Sequence, residues 1–239
     1  MNKRNYYKEL ESRIEEFQEK GRTPRLLLHA CCAPCSSHCL EFLRQFFDVT
    51  VFFYNPNITE DAEYRKRVLE EKRLIKEYNR QVEEQDFEGM HSDERARKIG
   101  IIEGEYDPKE YFEAVKGYEN IPEGGERCEK CFRLRLRRTA EVAAREGFEF
   151  FTTSLTISPL KNAELLNEIG EQAAREVSAE TGCEISFLPS DFKKKNGYKR
   201  SIELSHKFGL YRQDYCGCGF SKAEREKQKQ GVSIDGQRN

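Results

Sequence analysis

Three groups of cysteines carry the chemistry available to this chain: Cys31, Cys32 and Cys35 in HACCAPCS, Cys128 and Cys131 in RCEKCF, and Cys216 and Cys218 in YCGCGF. Thiolates bind zinc, iron and iron-sulfur clusters, and each group has chelate spacing. Cys128 and Cys131 stand three residues apart at a predicted helix start, where both sulfurs face one way and the helix dipole favours thiolate. Around Cys216 and Cys218, Gly217 and Gly219 permit the tight backbone that lets two nearby sulfurs converge. Seven thiols exceed the four protein ligands of one tetrahedral zinc or one cluster, so they imply two centres, or one centre plus a reactive pair. A zinc held by four thiolates is closed and structural, whereas a cluster held by three leaves one iron open. Ligand counting therefore favours redox chemistry. Cys39, one helical turn after Cys35, and Cys183, at a predicted strand start, are expected to be small buried hydrophobes.

Other side chains near these groups are weaker candidates. His29 precedes the first group and is a candidate to polarise or protonate a bound species, or equally a structural donor at a strand end. DFKKKNGYKR and RLRLRR are basic runs beside thiol groups, read either as solvated faces or as a surface for nucleic-acid phosphates. His38, His91 and His206 show no ligand spacing. There is no P-loop, and HACCAPCS lacks the glycines that let a backbone cradle phosphate, so nucleotide hydrolysis is not supported.

The elements that must position these residues read as an α/β fold. The chain has 239 residues, net charge −2, 35% charged and 37% hydrophobic residues, with eleven tyrosines and sixteen phenylalanines for a core. No signal sequence or membrane span is legible, so a cytoplasmic location is expected, and with it cysteines used as ligands or redox thiols rather than disulfides. Apolar periodicity predicts helices over 3–20, 36–47, 59–79 (with Tyr64, Val68, Leu69 and Ile75 inward), 108–117, 128–146 and 162–180. Strands are predicted at 26–28, 49–54, 148–154 and 183–189, with a weaker one at 81–87. Alternation of the two predicts a parallel sheet covered on both faces, whose ligands bind beyond the carboxyl ends of the strands where strand order reverses. One domain spans 1–239, with 89–125 an insertion or lid over the site and 222–239 a polar tail.

Taken together, LLLHACCAPCS, RCEKCFRLRLRRTA, FFTTSLTISPLKN, DFKKKNGYKRS and LYRQDYCGCGFS resemble the QueH family of epoxyqueuosine reductases, in order, over about residues 25–221. The resemblance implies an adenine nucleotide alpha hydrolase-like (HUP, Rossmann-like) fold with thiols in place of the nucleotide loop. It implies reduction of the epoxide of epoxyqueuosine, at the tRNA wobble position, to the alkene of queuosine, without cobalamin. The implied cofactors are a 4Fe-4S cluster and a second metal ion, iron or zinc, and the implied partners are tRNA and an external electron donor. On this reading Cys128 and Cys131 join thiols of the other groups on the cluster, with the remainder on the second metal. Asp191 and Asp214 become candidate oxygen ligands or proton sources, Asp191 being equally able to cap a turn. Arg133, Arg137, Lys193, Lys194 and Lys195 would meet tRNA phosphate. Two alternatives stand beside it: a cluster-dependent tRNA sulfur transferase, which needs ATP and hence the missing glycine loop, and a zinc-stabilised RNA-binding protein.

Overall fold

Three consecutive leucines, Leu26 to Leu28, form the centre of the fold. They lie in β1 (Arg25–His29), where every residue after Arg25 is buried, as expected of a strand covered on both faces. In the computed structural model, which describes residues 4–235, β1 pairs in parallel with β2 (Asp48–Phe53) on one side and β4 (Phe150–Thr153) on the other. The edge strands are β3 (Gly100–Glu103) beside β2 and β5 (Ser186–Phe187) beside β4, giving the order β3-β2-β1-β4-β5. Winding runs outward from β1 to β3, then jumps back to β4. The reversal therefore falls between β1 and β4, and their carboxyl ends open the crevice where such sheets bind ligands.

Side chains alternate between two cores with the strand period of two. Leu26, Leu28, Val49, Val51 and Phe53 pack with α1 (Tyr6–Glu19), α2 (Ala33–Leu43) and α3 (Asp61–Glu84). Leu27, Phe52 and Phe151 pack on the other face with α5 (Glu126–Arg145) and α6 (Ala163–Thr181). The remaining helices are α4 (Pro108–Ala114), α7 (Gly197–Lys207) and α8 (Gly219–Asp235), and a 3-10 turn, Ser154–Ile157, follows β4. The expected parallel sheet with helices on both faces is the architecture found. Among the described residues no helix is long and apolar enough to cross a membrane.

The structure corrects several local expectations. The strand expected at 81–87 is the last turn of α3, stopped by a left-handed Gln85 (φ 53°), and the missing strand is β3, inside the segment read as an insertion. α2 starts at Ala33 rather than Ser36, because Pro34 is tolerated in a first helical turn, where its missing N–H costs nothing. β5 shrinks to two residues. Leu69 is 66% exposed, since the buried stripe of α3 runs through Tyr64, Val68, Glu71 and Ile75. Cys39 is buried as expected, but Cys183 is exposed, following the left-handed Gly182 that ends α6. Where a polar tail is expected from 222, α8 continues to Asp235; residues 236–239 lie outside the described part.

Candidate metal centre at the strand switch

The first thiol group sits where β1 hands over to α2, at the mouth of the crevice. Cys32 is the N-cap of α2, and its carbonyl accepts hydrogen bonds from the N–H groups of Cys35 and Ser36 at 3.1 and 3.0 Å. That tight turn gathers the Sγ atoms of Cys31, Cys32 and Cys35 within 4.8 Å of one another, close enough to share a metal ion. The adjacent Cys31 and Cys32 sulfurs are 3.8 Å apart. The Cys32 and Cys35 thiols donate to Cys31, which holds it well below the usual thiol range and pushes the other two up.

The other groups arrive from α5 and from the turn before α8. Cys128 packs against the apolar cluster that contains Cys31 and Cys32, while Cys131 and Cys218 share a buried cluster with Tyr111 of α4. Cys216 lines one cavity, of about 420 Å³, together with Cys31, Cys32 and Cys35. Cys216 and Cys218 raise the Cys128 thiol through their charge, and Cys216 does the same to Cys131, so the three groups adjoin. Gly217 is needed for this: its φ is +117°, and a Cβ there would meet Ile58 at 2.8 Å. Gly219 needs no special backbone conformation and simply begins α8.

Hydrogen-bond donors point at five of the seven sulfurs. The N–H of Gly124 reaches Cys128 at 3.2 Å and that of Ser221 reaches Cys218 at 3.3 Å. Longer contacts come from Asn57 to Cys216 (4.0 Å), Arg135 to Cys131 (3.9 Å) and Ser154 to Cys31 (3.9 Å). Such donors stabilise sulfur that carries negative charge and tune the metal it holds. For Cys128 and Cys131, however, burial pushes both thiols up, Cys131 to about 12, against the thiolate-favouring effect expected at a helix start.

Three cations face this region. Arg135 is fully buried; its guanidinium donates to Asn55 Oδ1 at 2.7 Å and to Cys131, and no carboxylate pairs with it among the described residues. Burial would lower its pKa, yet Cys131, Cys216 and Cys31 hold it above the usual value. Arg67, 2% exposed, lines the cavity; it donates to Glu63 at 2.7 Å and to the Cys216 carbonyl at 3.1 Å, which leaves its buried Nη2 without a partner. Lys161 is half-buried in the same cavity, and Cys216, Cys31 and Cys35 overcome the desolvation that would lower it.

Comparison with known proteins identifies the family. Residues 26–224 match the family model described as epoxyqueuosine reductase QueH. This chain belongs to the QueH family. Curated relatives named epoxyqueuosine reductase QueH include those of Staphylococcus epidermidis (37% identical, 96% of this chain and 87% of the relative) and Streptococcus pyogenes (37%, 91% and 78%). Another, from Staphylococcus aureus, is 36% identical over 92% of this chain and 85% of its own. The QueH match spans every thiol group and leaves out α1 and the end of α8. QueH relatives are named as reductases, so the chain is an oxidoreductase.

Within this QueH protein the remaining sequence candidates fall in different places. His29 is fully buried beneath the thiols, with Nδ1 2.9 Å from Thr153 Oγ1 and Nε2 3.1 Å from the Tyr54 carbonyl. Burial, then Arg135, lower its pKa to about 3, so it is neutral and braces β1 against β2 and β4. Asp214 lines the cavity but is exposed and ion-paired with Lys229 at 2.6 Å, which lowers its pKa. Asp191 is buried outside the cavity wall and pairs with Lys193 at 2.8 Å. Arg133 is bound to Glu129 and Gln172, and Arg137 to Glu141, Glu176 and Glu180. Lys194 and Lys195 are exposed, with no acidic partner among the described residues. Sequence reading missed Arg67, Arg135 and Glu123. Arg135 was recoverable, since it follows Cys128 and Cys131 at i+7 and i+4 and so shares their helix face.

Proposed function

We propose that this chain reduces the epoxide of epoxyqueuosine, at the wobble position of a tRNA, to the alkene of queuosine, without cobalamin. A 4Fe-4S cluster and a second metal ion, iron or zinc, would be held on Cys31, Cys32, Cys35, Cys128, Cys131, Cys216 and Cys218. The observation that carries this reading is the buried Arg135, a cation without a carboxylate, set among thiols from all three groups. An unpaired buried charge costs several kcal/mol, and thiolates bound to metal supply the missing anion. The donor array on the sulfurs and the free Nη2 of Arg67 fit the same anionic group.

The reaction consumes two electrons and two protons and releases the epoxide oxygen as water. When bound, the metal centres supply electrons singly and Lewis acidity toward that oxygen. The chain's own residues do the rest. The cavity encloses the cyclopentane ring beside the thiols, and Arg67 and Lys161 present N–H donors on its wall where negative charge develops on oxygen. Asp214, open to solvent at the rim, exchanges protons with water. Lys194 and Lys195, free of acidic partners, hold tRNA phosphates, and an external carrier delivers the electrons.

The test is turnover. Protein reconstituted with iron and sulfide and then reduced, in cobalamin-free buffer, is incubated with tRNA bearing epoxyqueuosine. Loss of one oxygen atom from the nucleoside by mass supports the reading. An unchanged nucleoside with fully loaded protein contradicts it.

A further inference from the structure

Four cations, Arg67, Lys161, Arg212 and Arg225, line the cavity, but only two carboxylates, Glu123 and Asp214. Asp214 is exposed and spent on Lys229. Glu123 is half-buried, and although four cations share its cavity, none lies within ion-pair distance of it among the described residues. Its Oε2 instead accepts a hydrogen bond from Ser221 Oγ at 2.8 Å, and Ser221 Oγ in turn accepts the N–H of Cys216 at 3.2 Å. The segment that carries it is clamped to α8: the Glu123 N–H donates to Glu224 at 3.1 Å, and Arg127 pairs with the same Glu224 at 2.8 Å. A carboxylate is thus held rigidly beside a thiol, with its charge left for whatever enters.

On the function proposed above, what enters is epoxyqueuosine. In epoxyqueuosine the cyclopentane ring is joined to the 7-deazaguanine base through a methylene and a secondary amine, which is an ammonium at neutral pH. We propose that Glu123 binds this ammonium and so selects wobble bases with an aminomethyl arm over guanine. The ring is bonded directly to that nitrogen, so fixing the ammonium at Glu123 also fixes the ring beside Cys216. The cationic walls that attract phosphate would otherwise repel this part of the substrate. Glu123 is thus a specificity-determining residue, and the pairing of a half-buried carboxylate with an ammonium makes its effect about tenfold in affinity.

The test uses metal-loaded protein and three anticodon stem-loop RNAs that differ only at the wobble base: guanine, 7-aminomethyl-7-deazaguanine and epoxyqueuosine. Wild type is expected to bind both amine-bearing RNAs at least about tenfold more tightly than the guanine RNA. Glu123→Gln, which keeps the hydrogen bond to Ser221, is expected to bind the guanine and 7-aminomethyl-7-deazaguanine RNAs alike, and Glu123→Asp, with its charge on a shorter arm, to show a reduced preference. Metal content and visible absorption report whether each variant is intact. An undiminished preference in both variants, or no preference in wild type, overturns the proposal. Turnover of the epoxyqueuosine RNA by the same wild-type preparation decides the underlying reading separately.

Discussion

Arg135 is the residue whose surroundings most constrain the chemistry. Its neutral partners are Asn55 at 2.7 Å and His29 at 3.3 Å, and the groups positioned to carry a balancing negative charge are the thiols, so it should matter more to metal retention than to folding. Arg135→Met is expected to weaken metal binding by about 10–100-fold, measured by chelator competition, with the far-ultraviolet spectrum unchanged. His29 is governed by the opposite rule, being kept neutral by burial and by that same arginine. Its pKa falls from 6.5 to about 3 on folding, so its stabilising effect is complete above pH 6.5 and lost progressively as pH falls toward 3. His29→Gln should therefore flatten the decline in urea midpoint of metal-free protein between about pH 6.5 and 4, removing a dependence on the order of a few kcal/mol. An equally steep decline in the variant would mean that His29 is already protonated in the folded chain. At this scale the thiols were legible because their spacing is local. Arg67 and Glu123 were not, because a charged residue that turns inward looks in sequence like any other in a chain so rich in Arg and Glu.

The elements place these residues by close approach. α7 leans on α2 at Gly197, where an added Cβ would lie 1.9 Å from the Phe192 carbonyl and 2.7 Å from His38. α7 also contributes Tyr198 and Ser201 to the cavity. Gly197→Ala is expected to destabilise the protein by about 1–3 kcal/mol in chemical denaturation, as overpacking does. Gly219→Ala, whose added carbon meets only Thr59 at 3.4 Å, should leave stability unchanged or slightly raised. The central strands, β1, β2 and β4, were legible because their β-formers run unbroken between turns. β3 was not: GIIE is four residues long, partly exposed at a sheet edge and opened by glycine. The strand expected at 81–87 failed for a related reason, since Val82 and Phe87 favour strands but the buried Gln81, held by Arg44 at 2.9 Å, keeps α3 helical to Glu84.

Across the whole molecule, charge is sorted by pairing. Arg133 and Arg137 belong to an ion-pair lattice between α5 and α6, whereas Lys194 and Lys195 stand free at the turn before α7. Only free cations release counterions on meeting phosphate. Lys194→Ala and Lys195→Ala should each lower the slope of log affinity against log salt for tRNA by about 1, and Arg133→Ala and Arg137→Ala should leave it unchanged. Equal slopes for all four would move the RNA surface elsewhere. The fold class and its ligand crevice were legible from alternating elements, but the convergence of three thiol groups distant in sequence depends on a winding reversal between β1 and β4 that no local pattern encodes. That convergence is the central claim, and iron and acid-labile sulfide analysis of anaerobically purified protein tests it most directly. The protein is expected to be brown, with iron and sulfide, both lost in Cys32→Ala and Cys128→Ala alike. A colourless protein with one zinc, no iron and no sulfide would contradict it.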